Sequence, residues 1–146
     1  MALWQTLWGM MKVNQVLETC LYVNDLDAAE EFYTRVFGLA RIGRVEGRHV
    51  FFRCGGGMFL LFNPDTTIQP GNSASGVPTH GAKGPGHAAF RMEPGDIDRW
   101  RDHLKQNGVE IEKEMNWPGG GYSLYFRDPA GNSLELATPA TWAANG

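Results

Sequence analysis

Three side chains in this sequence combine metal-ligating chemistry with a place on a strand-like run: Glu18, His87 and Glu135 stand out as candidates to hold a divalent cation. Glu135 interrupts the run Ser133-Leu134-Glu135-Leu136-Ala137, in which alternation along a strand puts the two leucines on one face and Glu135 on the other. A carboxylate there needs a partner or water, because Glu is a poor strand former and is almost never buried alone. His87 opens a second run, alternating with Ala89 and Arg91 while Ala88, Phe90 and Met92 form the apolar face. Glu18 stands early in a third run, on one face with Cys20 and Tyr22. One imidazole and two carboxylates can ligate a first-row metal and leave positions for water or substrate. The three are distant in sequence, which leaves a second arrangement open: a hydrogen-bonded core histidine and two surface glutamates.

What must position them is a set of short strands and two helices. Strand-like residues fill 16–23, 39–45, 49–54 and 58–62, with Glu46-Gly47-Arg48 and Gly55-Gly56-Gly57 as hairpin turns. Between the first two runs, Ala29, Phe32, Tyr33, Val36 and Phe37 recur at helical spacing and Gly38 follows as a stop. Asp27 with Glu30 fits a capping box, and Asp25 is an equally good cap. After a Pro-, Gly- and Ser-rich stretch the order repeats: a strand at 86–92, a helix carrying Ile97, Trp100 and Leu104 that Gly108 stops, then strands at 109–115, 122–127 and 133–137. The last two are joined by Asp128-Pro129-Ala130-Gly131-Asn132, which is tight-turn chemistry. Glu18 and His87, Gly38 and Gly108, and Leu61 and Glu135 recur at offsets of 69, 70 and 74 residues.

The expected fold is therefore α+β: two βαβββ modules with curved mixed sheets around one cavity, and helices at 26–37 and 96–107 outside. Its parts are an N-terminal extension at 1–15, modules at 16–62 and 86–138, a linker and lid loop at 63–85, and a tail at 139–146. At 146 residues the chain has the size of one domain with a real core. A formal charge of −3 with scattered basic residues argues against a nucleic-acid partner or a membrane surface. The apolar start, with Trp4 and Trp8, lacks the marks of a signal peptide or a membrane span. Cys20 and Cys54 read as buried thiols of a reducing compartment, hence a cytoplasmic protein.

Leu21-Tyr22-Val23-Asn24-Asp25-Leu26 running on to Phe37-Gly38-Leu39, Gly84-Pro85-Gly86-His87-Ala88-Ala89-Phe90, and Phe126-Arg127-Asp128-Pro129-Ala130-Gly131-Asn132-Ser133-Leu134-Glu135-Leu136 carry a resemblance. Over residues 16–138 the chain resembles the vicinal oxygen chelate superfamily, which includes glyoxalase I, fosfomycin thiol transferases, extradiol dioxygenases and bleomycin-resistance proteins. The resemblance implies that His87 and Glu135 are metal ligands and that Glu18 takes a third ligand position often held by His or Gln. Leu61 then stands where glyoxalase I has a ligand that is also its catalytic base. The trio resembles the fosfomycin thiol transferase layout, with Glu18 in place of a His, and is one His short of the iron site of a dioxygenase.

The leading expectation is a glyoxalase-like enzyme, of isomerase, lyase or thiol-transfer type. One divalent ion (Mn, Fe, Ni, Co or Zn) would act as a Lewis acid, chelating vicinal oxygens of a small substrate and stabilising an enolate or alkoxide. A thiol such as glutathione is a possible co-substrate, and the resemblance implies a homodimer. Cys20, Tyr22, Phe59, Leu61 and Arg91 are candidate pocket residues, with Ala89, Ser133 and Ala137 beside the ligands; no catalytic residue is assigned. The rival readings are a metal-free binder that sequesters a small molecule, as bleomycin-resistance members do, and a dioxygenase.

Overall fold

The computed structural model describes Gly9, residues 11–70 and residues 76–143. Trp4 and Trp8 lie outside the described residues. The first module runs β1 (Glu18–Tyr22), α1 (Leu26–Phe37), β2 (Ala40–Val45), β3 (His49–Cys54) and β4 (Gly57–Phe62). A four-residue helix, α2 (Pro64–Thr67), follows within the stretch read as a loop. The second module runs β5 (His87–Arg91), α3 (Ile97–Gln106) after a 3-10 turn at Pro94–Asp96, then β6 (Lys113–Asn116), β7 (Tyr122–Arg127) and β8 (Ser133–Ala137). A last short helix, α4, spans Ala140–Ala143.

Each module forms one four-stranded mixed sheet, in the orders β1-β4-β3-β2 and β5-β8-β7-β6, and the two do not close into a barrel. The first strand of each module pairs in parallel with the last; the other pairings are antiparallel. The expected α+β fold of two βαβββ modules is thus observed. Two strands are shorter than expected at their starts: β1 begins at Glu18, and β6 begins only at Lys113, with Val109 and Ile111 packed against the core ahead of it.

Of the two candidate caps, Asp25 caps α1 by accepting a hydrogen bond from the Ala28 amide at 3.0 Å. Gly38 ends the helix at φ 65°, a left-handed conformation that a side chain would strain. The helix buries Ala29, Phe32, Tyr33 and Val36 against one face of the first sheet, where Leu21, Val50, Phe52, Phe59 and Leu61 point. Phe37 carries this packing into the second module, stacking on Phe90 at 4.3 Å between ring centroids. Leu124, Phe126, Leu134 and Leu136 complete one core shared by both modules. Among the described residues no helix is long and apolar enough to cross a membrane.

The Asp128–Asn132 turn ties the modules together. Asp128 accepts from the Tyr33 hydroxyl at 2.7 Å, from the amides of Ala130 and Asn132, and from the Asn132 side chain. The same Asn132 side chain donates to the Tyr22 carbonyl and accepts from the Gly86 amide. The end of β1 and the beginning of β5 are held side by side through one buried asparagine.

Candidate metal centre

Register fixes which side chains share a face. Leu134 and Leu136 are buried in the core, so Ser133, Glu135 and Ala137 project from the opposite face of the second sheet. Parallel pairing sets His87 beside Ser133 and Ala89 beside Glu135; antiparallel pairing sets Tyr125 beside Glu135. His87, Glu135 and Tyr125 therefore gather on one side of the sheet. His87 is half exposed, while the Glu135 side chain is only 8% exposed.

Two hydrogen bonds determine what this pair offers. His87 Nδ1 lies 2.9 Å from the Ser133 carbonyl, which can only accept, so Nδ1 carries the proton in the neutral imidazole and Nε2 presents its lone pair. Glu135 Oε2 accepts from the Ser123 hydroxyl at 2.6 Å, and Oε1 is left facing His87 Nε2 at 3.4 Å. That separation exceeds the roughly 2.7–3.2 Å of a hydrogen bond. It is a separation that two ligands each about 2.0–2.2 Å from a shared ion can hold. An imidazole lone pair and a carboxylate oxygen this close together fit a divalent cation. Tyr125 stacks over His87 with 6.3 Å between ring centroids. Burial first, then the hydrogen bond and charge of Glu135, push its phenol upward in pKa, so the hydroxyl stays protonated.

Glu18 does not join this pair within one chain. Asn132 holds Tyr22, at the end of β1, near Gly86, just before His87. Glu18, at the other end of β1, lines a cavity of about 360 Å³ together with Ala89 and Arg91, at the far end of β5. The two edge strands thus run in opposite directions, and Glu18 is displaced from His87 by about four residues of strand, roughly 13 Å. Among the described residues no three His, Cys, Asp or Glu side chains come together as a metal cluster.

The other candidate residues divide between the two faces of the first sheet. Cys20 and Tyr22 share the face of Glu18, as alternation required, and both are half-buried. Burial raises the Cys20 thiol pKa, against a lowering hydrogen bond from Tyr22, and Glu18 raises it further. The Tyr22 hydroxyl meets His80 Nδ1 at 2.7 Å, a partner supplied by the stretch after α2. Leu61, by contrast, is fully buried on the helix side of the sheet and is no wall of the ligand face. Met58 pairs with Glu18 as Ser133 pairs with His87, so the counterpart of Glu135 is Leu60, one residue earlier than the sequence offset indicated. Phe59 likewise belongs to the core, although it reaches the cavity between the modules. Arg91 is largely exposed and paired with Glu93 at 2.8 Å.

Ser123 and Trp117 belong to the site and were not singled out from the sequence. Ser123 is fully buried, and the Trp117 indole donates to its oxygen at 2.9 Å. The signal was a lone small polar residue that shares its strand face with Tyr125, opposite Glu135.

The fold recurs in known proteins, and the sequence has relatives among them. A metallothiol transferase, FosB, of Staphylococcus epidermidis is 30% identical over 129 residues, covering 88% of this chain and 84% of its own length. The lactoylglutathione lyase GLX1 of Arabidopsis thaliana is 26% identical over 133 residues, covering 88% of this chain and 46% of that protein. Among solved structures, a lactoylglutathione lyase from Agrobacterium tumefaciens matches with a TM-score of 0.86 and 40% identity, over 91% of this chain and 99% of that one. A fosfomycin resistance protein, FosX, from Listeria monocytogenes shares the fold at a TM-score of 0.63 and 22% identity, over 87% and 94%. The family model that matches spans residues 12–136, from before β1 into β8, and takes in all three candidate ligands: the chain belongs to the Glyoxalase/Bleomycin resistance protein/Dioxygenase superfamily.

Proposed function

We propose that this protein is a metal-dependent enzyme that transfers or rearranges a thiol-linked small molecule. Its ion would be held by His87 and Glu135 of one chain and by Glu18 of a second copy. The observation that carries the reading is the convergence of His87 Nε2 and Glu135 Oε1 at 3.4 Å, with the other polar atom of each side chain tied elsewhere. A second copy is needed because Glu18 sits at the wrong end of β1 to reach the pair in its own chain. A twofold axis that opposes the first sheet of one copy to the second sheet of the other would bring Glu18, Cys20 and Tyr22 over His87 and Tyr125. Met11, Val13, Val16 and Leu17, each at least 73% exposed, lie just before β1 and would be covered in such an assembly.

When bound, the ion supplies Lewis-acid stabilisation to vicinal oxygens of the substrate. Ser133 holds the His87 tautomer, Ser123 holds Glu135, and the protonated Tyr125 hydroxyl stands beside the ligands as a donor. Leu60 places an apolar side chain where the second module has Glu135, so the first module offers no second carboxylate to act as ligand and base. This favours thiol transfer over isomerisation, in accord with the name of the metallothiol transferase relative. Metal-stripped protein should take up one equivalent of Mn(II), Zn(II), Co(II) or Ni(II) per chain. It should then consume glutathione or another small thiol in the presence of fosfomycin, with lactoylglutathione turnover as the competing assay. A parent protein that binds no divalent ion would overturn the reading and leave a metal-free binder.

A further inference from the structure

Behind Glu135 lies a buried relay that reaches a surface loop. Trp117 leaves β6 and enters the turn before β7, where its amide donates to the Gly121 carbonyl at 2.8 Å and its carbonyl accepts from Gly120 at 3.0 Å. From that position its indole N–H donates to Ser123 Oγ at 2.9 Å, and Ser123 Oγ meets Glu135 Oε2 at 2.6 Å. An indole N–H only donates, so Ser123 must accept there, and its single hydroxyl proton goes to Glu135. Ser123 is fully buried and Glu135 is 6% exposed, so neither bond is readily replaced by water.

We propose that Ser123 and Trp117 are positioning residues that make Glu135 a one-oxygen ligand. They engage Oε2 and leave Oε1 toward His87 Nε2, so that an ion held there would meet one carboxylate oxygen. The inference rests on the metal reading above and adds to it a specific orientation of one ligand, set from the loop that carries Trp117. Through Trp117 the conformation of residues 117–121 is coupled to the geometry of the centre. Thr138 braces the same loop by accepting from the Tyr122 amide at 2.9 Å, and its own amide donates to the Tyr122 carbonyl.

The test compares metal-stripped parent, Ser123→Ala, Trp117→Phe and His87→Ala by isothermal titration with Zn(II) or Mn(II) chloride alone. Ser123→Ala should bind about 10- to 100-fold more weakly, the usual cost of losing a partner that orients a ligand. Trp117→Phe keeps an aromatic side chain and removes the donor, so it should show a smaller loss in the same direction. The visible spectrum of the Co(II) form is the second readout. Freeing Oε2 lets the carboxylate bind through both oxygens, so the bands of Ser123→Ala should weaken as the coordination number rises. Circular dichroism confirms that each variant is folded, and Trp117→Phe carries the test if Ser123→Ala is not. If both folded variants bind like the parent with unchanged Co(II) spectra while His87→Ala loses the ion, the positioning role is wrong and the metal reading stands. If His87→Ala also binds like the parent, or if the parent binds nothing, the metal reading fails and the positioning role with it.

Discussion

Tyr33→Phe removes one oxygen from the centre of the molecule, and its effect can be worked from the structure. The side chain is fully buried, and its hydroxyl donates to Asp128 Oδ2 at 2.7 Å, joining α1 of the first module to the β7–β8 turn of the second. Burial first, then the charge of Asp128, drive the phenol pKa far upward, so the hydroxyl remains a donor at any working pH. A hydrogen bond to a charged group contributes about 1.5–3 kcal/mol. Asp128 would keep three other donors, the Ala130 and Asn132 amides and the Asn132 side chain, so the loss should fall near the lower end, about 1.5–2 kcal/mol. For a chain of this length each kcal/mol moves the midpoint by roughly 2–4 °C, so Tm should fall by about 3–8 °C. Asp128→Ala strands all four donors at once and should cost more, about 3–5 kcal/mol. Thermal and urea denaturation followed by circular dichroism measure both, and a double-mutant cycle isolates the coupling. A Tyr33→Phe protein that melts with the parent would refute the claim that this turn fastens the modules together.

Three further outcomes follow from other parts of the fold. Burial, then the Arg48 guanidinium, lower the His49 pKa, so the unfolded chain binds a proton that the folded chain resists. Stability should therefore be undiminished above about pH 6.5 and fall as pH drops below it; in His49→Gln the acid-side loss of Tm should shrink, and an unchanged loss would contradict this. Burial raises the pKa of both thiols, so at neutral pH Cys20 and Cys54 should react with iodoacetamide more slowly than a cysteine peptide and accelerate in alkali; peptide-like rates would count against it. A Cβ added at Gly121 would lie 2.5 Å from backbone atoms of Thr141, so Gly121→Ala should destabilise by about 1–3 kcal/mol, and a Tm equal to the parent's would show that the C-terminal helix yields freely.

How much was legible depended on whether a residue's surroundings were local. The Asp128–Asn132 turn and the facing of Glu135 could be read directly, because turn chemistry and two-residue alternation are encoded within a few positions. The first sheet was harder. In β4, Phe59, Leu60, Leu61 and Phe62 are all buried, one pair by the core and the other on the opposite face, so alternation left no mark and the repeat was offset by one residue. Leu61 was matched to Glu135 where pairing matches Leu60. The partner of the Tyr22 hydroxyl, His80, comes from a stretch with no periodic signal. The relay through Ser123 and Trp117 was invisible for the same reason: its members become neighbours only after β7 and β8 pair and the preceding turn folds back. Strand alternation placed Glu18, His87 and Glu135 on their faces, but a sequence does not state which end of an edge strand meets which.

That last point is also where the account is most directly tested. In the proposed homodimer Glu18→Ala and His87→Ala would each remove a ligand from every site, so neither variant alone should bind the ion tightly. If Glu18 completes the site of its partner, mixed dimers made by joint refolding carry one intact site, built from His87 and Glu135 of the Glu18→Ala chain and Glu18 of the other. The account predicts that tight metal binding, read by titration with Zn(II), returns in the mixture at one ion per mixed dimer. A mixture of confirmed mixed dimers that binds no better than its two parents would contradict it.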